Sequence, residues 1–470
     1  MKQEFRIIVD QFQPLPYAGG VTLFRSEQRV VDPSLEEDMG WGELVQDDLE
    51  IVRLPGDHVS IVIEPRNMRL LAEGITATME RSVARGRDRV RTRGDDQDEI
   101  IDRFLEQSLQ LVGKPFTERL PWNNVATRDS IRQFAFGICD DNPLWTDPAY
   151  ATAGPFGRLM APPAYLVSAR YPILHGAPMD APLLSLLKDI EFSWYKRVFE
   201  GDELHSSTEQ GEVREVVEPG GNRRIYVEGI TTYSNSQEEL VGRARGTVVR
   251  MPSQGEFRLE DWSPYEYQSE ELERVQEQML AEQRTGSGAL PATDMKVGAK
   301  LPGIVRGPFN IGDMVCWHAA VGPSYRPGPL GYKDILETPQ FRVLHPSTRW
   351  PIKYMLQHED WNLAHQRGMP APFDNGVMRF AWVSPLLTNW MGDRGFLARL
   401  KVTIHLPVLY GDTCWYSGEV VESSPEGDYT RVGVRILGTN QLGSIATSGY
   451  AEVVLPQDTG VDHLLEHVDQ

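Results

Sequence analysis

The sequence predicts an α+β protein made of two modules of the same kind, each a long central helix wrapped by an antiparallel sheet. The first observation is an internal repeat: residues 191–202, EFSWYKRVFEGD, resemble residues 401–412, KVTIHLPVLYGD, with the Gly-Asp turn in register. The second is a matching start of a central helix, at Pro163 in one half and at Gly376 in the other. The third is a series of strand-like runs, separated by Gly-containing turns, that follows the first of these starts.

Charge and composition limit the class of protein. The 470 residues carry a formal net charge of -20, so we do not expect the basic surface that binds nucleic acid or an anionic membrane. The three cysteines, Cys139, Cys316 and Cys414, are widely spaced and odd in number, which favours a reducing compartment. We see no run of eighteen apolar residues and no apolar signal-peptide core, so we expect a cytoplasmic protein without a membrane partner.

Changes in composition along the chain predict its domain organisation. A charged stretch and a polar helix that ends in Gly and Ser separate three larger parts. The predicted order is a small N-terminal part at 1–84, a charged connector at 85–98, an N-terminal module at 99–253, a helical linker at 254–291, a C-terminal module at 292–457 and a tail at 458–470. In the N-terminal module, Thr127 is the predicted N-cap of the helix that precedes the most polar loop.

That polar loop, DDNPLWTDP at 140–148, holds the candidate chemistry. An Asn-Pro step with carboxylates on both sides predicts a turn, and the apolar helical face before it places Asp140 beside an apolar wall. The loop resembles the hydratase loop of the MaoC-like, FAS1-like dehydratases, a double-hotdog family in which an Asp-x-Asn-Pro-x-His-x-Asp-Pro pattern carries the catalytic Asp and His. Asp140 and Asn142 match this pattern, whereas Trp145 stands in the position of the histidine. The resemblance covers about residues 100–456.

The internal repeat locates a histidine in the other half. Counting back 18 residues from Pro163 gives Trp145, and counting back 18 from Gly376 gives His358. An Asp lies 16 residues before each helix start, and in the second half this is Asp360. A rival register, in which Asp360-x-Asn-x-x-His365 is the motif, breaks every downstream match. In the preferred register Lys353 occupies the position of the catalytic Asp, so each half carries one member of the family's pair.

The resemblance implies a hydro-lyase that hydrates an α,β-unsaturated acyl thioester or dehydrates a 3-hydroxyacyl thioester. Such a reaction needs an acid and a base with pKa values near the working pH, and donors for the thioester oxygen. The candidates for catalysis are Asp140, Asn142, His358 and Asp360, and the candidates for the oxyanion site are the backbone N–H groups of Asn375 and Gly376. We expect no metal and no cofactor beyond the coenzyme A or phosphopantetheine that belongs to the substrate.

Other readings of these residues stay open at this point. Asp140 can be a turn cap and His358 a loop histidine, because each lacks its usual partner in its own half. The chain can then be a non-catalytic subunit that binds or scaffolds acyl thioesters, or it can catalyse an altered reaction, isomerisation or cyclisation, in the same pocket. The acyl thioester is the expected partner, and an acyl carrier protein and a second copy of the chain are further options.

Residues 1–84 resemble the C-terminal end of the thioesterase domains of polyketide and nonribosomal peptide synthases. In those α/β-hydrolases a Gly-Asp-His segment supplies the triad histidine, and His58 falls on it here. The chain has no G-x-S-x-G motif to supply a nucleophile, so we interpret the segment as a small α/β-hydrolase-like fragment and His58 as a structural residue. The resemblance points to natural-product or lipid metabolism.

Overall fold

The structure is a computed structural model. It describes residues 21–28, 38, 41–45, 48–57, 60–116, 122–177, 183–218, 221–252, 263–288, 290, 295–322, 326, 328–338 and 341–456. The chain divides into two compact units, Met1–Asp98 and Glu99–Gln470. His58 and the predicted tail at 458–470 lie outside the described residues.

The strands are β1 (Val21–Ser26), β2 (Leu49–Leu54), β3 (Pro115–Phe116), β4 (Leu183–Trp194), β5 (Leu204–Val217), β6 (Arg223–Asn235), β7 (Leu240–Pro252), β8 (Ile304–Arg306), β9 (Arg342–Leu344), β10 (Pro351–Lys353), β11 (Phe396–Ile404), β12 (Cys414–Glu426), β13 (Tyr429–Asn440) and β14 (Ile445–Pro456). Strands β1 and β2 belong to the first unit and the other strands to the second. Ten of them form one antiparallel sheet in the order β3-β5-β6-β7-β4-β11-β14-β13-β12-β8.

The α-helices range in length from four to 45 residues. They are α1 (Ser60–Ile63), α2 (Pro65–Leu109), α3 (Arg128–Gly137), α4 (Pro143–Thr146), α5 (Pro148–Ala153), α6 (Leu166–Ala169), α7 (Ser269–Leu280), α8 (Ile311–Val321), α9 (Gly328–Glu337), α10 (Trp361–Gln366) and α11 (Gly376–Met391), with 3-10 helices at Trp41–Glu43, Pro163–Tyr165 and Tyr354–His358. Among the described residues, no helix is long and apolar enough to cross a membrane.

The first unit pairs β1 with β2 in parallel, Val21 opposite Leu49. The predicted connector at 85–98 is helical, because α2 runs through it. The only proline of α2, Pro65, is at its first position, where a missing N–H costs no hydrogen bond. The rest of this helix is rich in good helix formers such as Arg and Glu. The thioesterase-like character of this unit stays a prediction.

The two modules of the second unit join edge to edge. Strand β4 of the N-terminal module pairs with β11 of the C-terminal module, with Ile190 opposite Val402. Both strands begin near a central helix of their own module, and their inward side chains share one hydrophobic core. One continuous sheet therefore carries both modules.

The central helices differ in length. Helix α11 is long and every residue from Val377 to Met391 is buried. In the N-terminal module the corresponding helix is short, a 3-10 turn at Pro163–Tyr165 followed by α6. Pro172 explains the early end, since the backbone of a residue before proline avoids the helical region and the chain is already extended at Arg170. The sequence analysis expected two long helices, so this difference is a finding of the structure.

Helices α3 and α8 pack against each other and position the two candidate loops. Thr127 caps α3 as predicted, in a capping box with Ser130. Gly137 allows the close approach, because a Cβ there would lie 2.4 Å from the Cβ of Ala320. Asn123, just before α3, donates to the carbonyl of Ala320 near the end of α8, at 2.9 Å. The end of α3 and the segment before it therefore both contact the C-terminal part of α8.

Candidate active site

The loop after α3 is held by caps formed by its own side chains. Asp140 accepts a hydrogen bond from the backbone N–H of Asn142 through Oδ1, at 3.0 Å. The Asn142 side chain accepts from the N–H of Leu144 at 3.1 Å and so caps α4. Asp147 caps α5 by accepting from the N–H of Ala149 at 2.9 Å. These short-range bonds explain why Asx residues alternate with prolines in this stretch.

Asp140 is enclosed. Its side chain is 3% exposed, and its Oδ2 atom has no hydrogen-bond partner within the described part of the chain. Burial raises the pKa of Asp140 to about 6, and the N–H of Asn142 opposes that rise. The neighbouring Trp145, which stands where the family has its histidine, is 1% exposed. A bulky indole thus takes the place of the imidazole.

Two arginines from outside the loop complete the surroundings of Asp140. Arg306, at the end of β8, donates to the carbonyl of Cys139 at 3.2 Å. Arg284, in the segment after α7, forms an ion pair with Asp141. Both arginines lower the pKa of Asp140, although less than burial raises it. These contacts could not be predicted from a local pattern, because both residues lie more than 140 positions further along the chain.

His358 lies beside the start of α11. Its Nδ1 atom is 2.8 Å from the carbonyl oxygen of Phe373, which can only accept, so Nδ1 carries the proton and Nε2 is left as the basic nitrogen. The imidazole packs on the Phe373 ring with 4.5 Å between the ring centres. Burial lowers the pKa of His358, and the nearby Glu359 opposes this. The imidazole is therefore neutral near pH 7.

Gly376 is the first residue of α11, immediately after its cap. Asn375 accepts from the N–H of Val377 at 3.0 Å, while the first N–H groups of a helix have no carbonyl partner inside it. A Cβ at Gly376 would lie 2.7 Å from the Cβ of Leu187 on β4, so only glycine fits this approach of the two modules. The structure therefore brings His358, Asn375 and Gly376 to one place, at the positive end of the helix dipole.

The corresponding position in the N-terminal module is Pro163, which has no N–H to offer. The N-terminal module thus has neither a histidine nor a backbone N–H donor at these two positions. In the C-terminal module they are supplied by His358 and Gly376. The C-terminal module in turn lacks the carboxylate, because Lys353 takes its place and forms an ion pair with Asp334.

Asp360 is a helix cap. It accepts from the N–H of Leu363 at 2.8 Å, and its other oxygen lies 3.1 Å from Nε2 of His345. Asp147 caps α5 in the same way in the other module, which supports the register that equates Trp145 with His358. Asn142 and Asp360, predicted as catalytic, thus both have capping contacts.

Asp140 and His358 have different partners. Those of Asp140 are Asn142, Trp145 and two arginines, whereas those of His358 are Phe373 and the charged groups near α11. In the described part of the chain no hydrogen bond or ion pair joins the two side chains. A composite site built from both residues therefore stays a prediction.

Three further polar residues, which the sequence did not single out, lie in the region of His358. Nε2 of His318, on α8, lies 2.6 Å from Oε1 of Glu359, and the pKa of His358 responds to both. Tyr410 has a buried hydroxyl with no hydrogen-bond partner among the described residues. Glu359 follows His358 directly in the sequence, so it could have been noticed. His318 could not, since only the fold brings α8 to this loop.

A small cavity marks the pseudo-equivalent position in the N-terminal module. It measures about 30 Å³, space for a few water molecules and not for an acyl chain. Its lining is Met160, Ala161, Pro162, Pro163, Trp194, Lys196, Arg197, Val198, Met391, Gly395, Phe396 and Leu397. Across the described ranges, no group of three or more His, Cys, Asp or Glu side chains is placed to hold a metal ion.

Two modules that share one sheet, each with a helix at its centre, define a double hotdog fold. A solved structure described as a MaoC-like dehydratase has this fold: it is 17% identical, with a TM-score of 0.52, and the alignment covers 74% of this chain and 99% of that one. The predicted fold class is thereby confirmed.

The sequence comparisons identify the family. Residues 110–243 match the model of the FAS1-like dehydratase domain region. A UPF0336 protein of Parafrankia sp. (strain EAN1pec) is 36% identical over 144 residues, which are 29% of this chain and 90% of the relative. A second UPF0336 protein, from Streptomyces avermitilis, is 27% identical over 157 residues, 32% of this chain and 99% of the relative. This chain belongs to the family of these UPF0336 proteins, and its residues 110–243 resemble the dehydratase domain region that the loop at 140–148 predicted.

Proposed function

We propose that the chain is a hydro-lyase that adds water to an α,β-unsaturated acyl thioester, or removes it from a 3-hydroxyacyl thioester, at the start of α11. The observation that carries this proposal is the hydrogen bond from Nδ1 of His358 to Phe373, three residues before α11, which leaves Nε2 as the basic nitrogen. The match of residues 110–243 to the FAS1-like dehydratase domain region supports the reaction class. The carrier of the acyl group is coenzyme A or the phosphopantetheine of an acyl carrier protein.

In the hydration direction, the thioester oxygen accepts a hydrogen bond from the N–H of Gly376. Nε2 of His358 removes a proton from water while the water oxygen bonds to the β-carbon. The electron pair of the C=C bond moves toward the thioester, and the enolate oxygen that forms is stabilised by the same N–H and by the helix dipole. His358 then returns the proton to the α-carbon, which restores the neutral imidazole.

Asp140 has a different place in this proposal. Its unpartnered Oδ2 and its pKa of about 6 are properties of an acid-base group, yet it is 3% exposed beneath Trp145. In the proposed mechanism Asp140 and Asn142 hold the loop that packs against Arg306, and Asp360 holds α10. The catalytic groups are then those of the C-terminal module alone.

A specific observation favours a second candidate, a non-catalytic subunit that binds acyl thioesters. Lys353 replaces the carboxylate in one module, and Trp145 and Pro163 replace the histidine and the N–H donor in the other, so neither module keeps the whole set. An altered reaction, isomerisation or cyclisation, would use the same His358 base without added water. A role in natural-product or lipid metabolism, a cytoplasmic location and a homodimer belong to the proposal as well.

Hydration of a panel of 2-enoyl-CoA thioesters, followed by loss of the enoyl absorbance, tests the proposal. The native chain is compared with His358→Ala and with a matched control, His405→Ala, which removes the exposed histidine that directly follows β11. Native turnover that falls about a hundredfold or more in His358→Ala and is kept in His405→Ala supports the hydro-lyase. Binding without turnover supports the subunit instead.

A further inference from the structure

Two arginines, one from each module, are buried around Tyr354 without a carboxylate. Arg250 is on β7 and is 6% exposed, and Arg367 follows α10 and is 9% exposed. Tyr354 begins the 3-10 helix that ends at His358, and it is 7% exposed. Within the described residues, neither arginine forms an ion pair.

In the described part of the chain, the hydrogen-bond and ring partners of Arg250 are uncharged. It donates to the carbonyl of His175 at 2.9 Å, and its guanidinium lies 5.0 Å from the centre of the Phe104 ring. Its Nε atom is buried and has no acceptor in the described part of the chain. Burial, helped by Arg250, lowers the pKa of His175 to about 3, so this histidine is uncharged.

The contacts of Arg367 are neutral as well. Its Nε donates to the side-chain carbonyl of Gln357 at 2.8 Å, and its guanidinium lies 4.7 Å from the centre of the Tyr354 ring. It also reaches the carbonyl of Leu183 at 3.5 Å. The Tyr354 hydroxyl, like Nε of Arg250, is buried without a partner among the described residues. Nε of Arg250 and the Tyr354 hydroxyl are thus two hydrogen-bond donors without an acceptor in the described part of the chain, and they lie beside two guanidinium groups.

Two other buried arginines of this chain do have carboxylate partners. Arg379 has its charge matched by Asp374, with two hydrogen bonds of 2.7 and 2.6 Å. Arg306 likewise has the carboxylate of Glu282 at 2.5 Å. Uncompensated charge in a low-dielectric interior is strongly unfavourable. Arg250 and Arg367 depart from this pattern together, and burial lowers the pKa of both, with Arg250 further lowering that of Arg367.

We propose that Arg250, Arg367 and Tyr354 bind the terminal carboxylate of the acyl chain, so that the substrate is an ω-carboxyacyl thioester. The 3-10 helix from Tyr354 to His358 rises about 2 Å per residue, so the backbones of these two residues are roughly 8 Å apart along its axis, a separation comparable with the length of a short acyl chain. A carboxylate is small enough to be desolvated there, unlike the diphosphate of coenzyme A. This inference rests on the proposed function for the position of the thioester.

The test compares pairs of 2-enoyl-CoA thioesters of equal chain length, one ending in a carboxylate and one in a methyl group. The measured quantity is the ratio of kcat/KM between the two members of a pair, for the native chain, Arg250→Met, Arg367→Met and Tyr354→Phe. The matched control is Arg197→Met, which removes another arginine held by carbonyls and aromatic rings, at the small cavity described above.

We expect the native chain to prefer the carboxylate, and each Arg→Met change to lower the ratio roughly ten- to hundredfold, the scale of a hydrogen bond to a charged group. Arg197→Met keeps the native ratio. Tyr354→Phe lowers the ratio without lowering the melting temperature, because the hydroxyl it removes has no partner in the protein. A native chain without preference, or a preference that survives both Arg→Met changes, overturns the inference.

A second measurement separates this inference from the proposed function. Calorimetric titration of glutarate, adipate and inorganic phosphate into the native chain and Arg367→Met does not depend on turnover. Dicarboxylate binding that disappears in Arg367→Met supports the anion site even where no thioester is hydrated, in which case only the hydro-lyase proposal fails. Tighter binding of phosphate than of either dicarboxylate overturns the carboxylate assignment.

Discussion

The imidazole of His358 donates from Nδ1 to the carbonyl of Phe373, 2.8 Å away and three residues before the first residue of α11. This bond fixes both the tautomer and the orientation of the ring, and it ties the 3-10 helix that ends at His358 to the residues just before α11. A group held in one orientation loses little to motion.

The pH dependence of turnover reports the state of His358. Because burial lowers its pKa below the ordinary value of 6.5, the neutral, basic form predominates at pH 7. We expect kcat/KM to be flat at neutral pH and to fall on acidification with a midpoint below 6.5. A pH profile of kcat/KM with a stable substrate measures this. A midpoint above 6.5, with the native fold intact by circular dichroism, would contradict the assignment.

Asp140 is expected to make the chain less stable as pH rises. Its pKa is raised from 3.8 to about 6, so the folded state holds the proton more tightly than the unfolded state. The contribution is present below pH 4 and is lost between about pH 4 and 6, to the extent of roughly 3 kcal/mol. Urea unfolding of the native chain and of Asp140→Asn at pH 4 and pH 7 measures it as the change in their difference. A difference that does not vary with pH refutes the prediction.

Replacing Gly376 disturbs the join between the modules. In Gly376→Ala the new Cβ lies 2.7 Å from the Cβ of Leu187, which cannot move without shifting β4. We expect a loss of about 1–3 kcal/mol in the free energy of unfolding, together with a fall in hydration. Gly154→Ala is the control, since its Cβ has 3.3 Å to its closest atoms and its φ of -80° suits alanine. Equal effects of the two changes would show that the close approach is unimportant.

Restoring the family's histidine in the N-terminal module should not restore a site there. Trp145→His gives the loop its full motif, but Pro163 still lacks the N–H that the thioester oxygen needs. The change also empties most of a fully buried indole site, at a cost of about 3–5 kcal/mol. We therefore expect a less stable protein with no added hydration in the His358→Ala background. Turnover regained in the double variant would assign a working site to that module.

The buried ion pair below the cap of α11 should be sensitive to loss of one partner. Asp374 holds Arg379 through two hydrogen bonds, and its Oδ1 also accepts from the N–H of Val408 at 2.9 Å. Asp374→Asn leaves a buried guanidinium unpaired, and we expect a loss of about 3–5 kcal/mol. Denaturant unfolding measures it. A smaller loss in the Asp374→Asn, Arg379→Met double variant than in the single variant is the signature of a paired charge.

Much of the fold was predictable for two reasons. Short local patterns mark some of its elements, and the same pattern occurs in both modules. The repeated Gly-Asp turn and the spacing of 18 residues aligned the modules, and the cap at Thr127 located α3. The short central helix of the N-terminal module was not predicted, although Pro172 is visible in the sequence, since the repeat with α11 suggested equal lengths.

The candidate site was predictable in part for the same reason. His358 and Gly376 are 18 residues apart in the sequence, and the repeat places both at the start of the central helix, so their grouping followed from their spacing. Asp140 could not be placed relative to them from the sequence, because that depends on how the two modules pack. Arg250 and Arg367 are 117 positions apart, as their numbers show, and no local pattern connects them.

The pairing of β4 with β11 puts two diverged copies of one module into a single chain at a fixed ratio of one to one. In an assembly of identical subunits, a change that removes the histidine or the helix-start glycine removes it from every site at once. Here one module carries Trp145 at the histidine position and Asp140 at the carboxylate position, whereas the other carries His358 and Lys353 at the same two positions. Covalent fusion thus lets the two modules differ at each position while their ratio stays one to one.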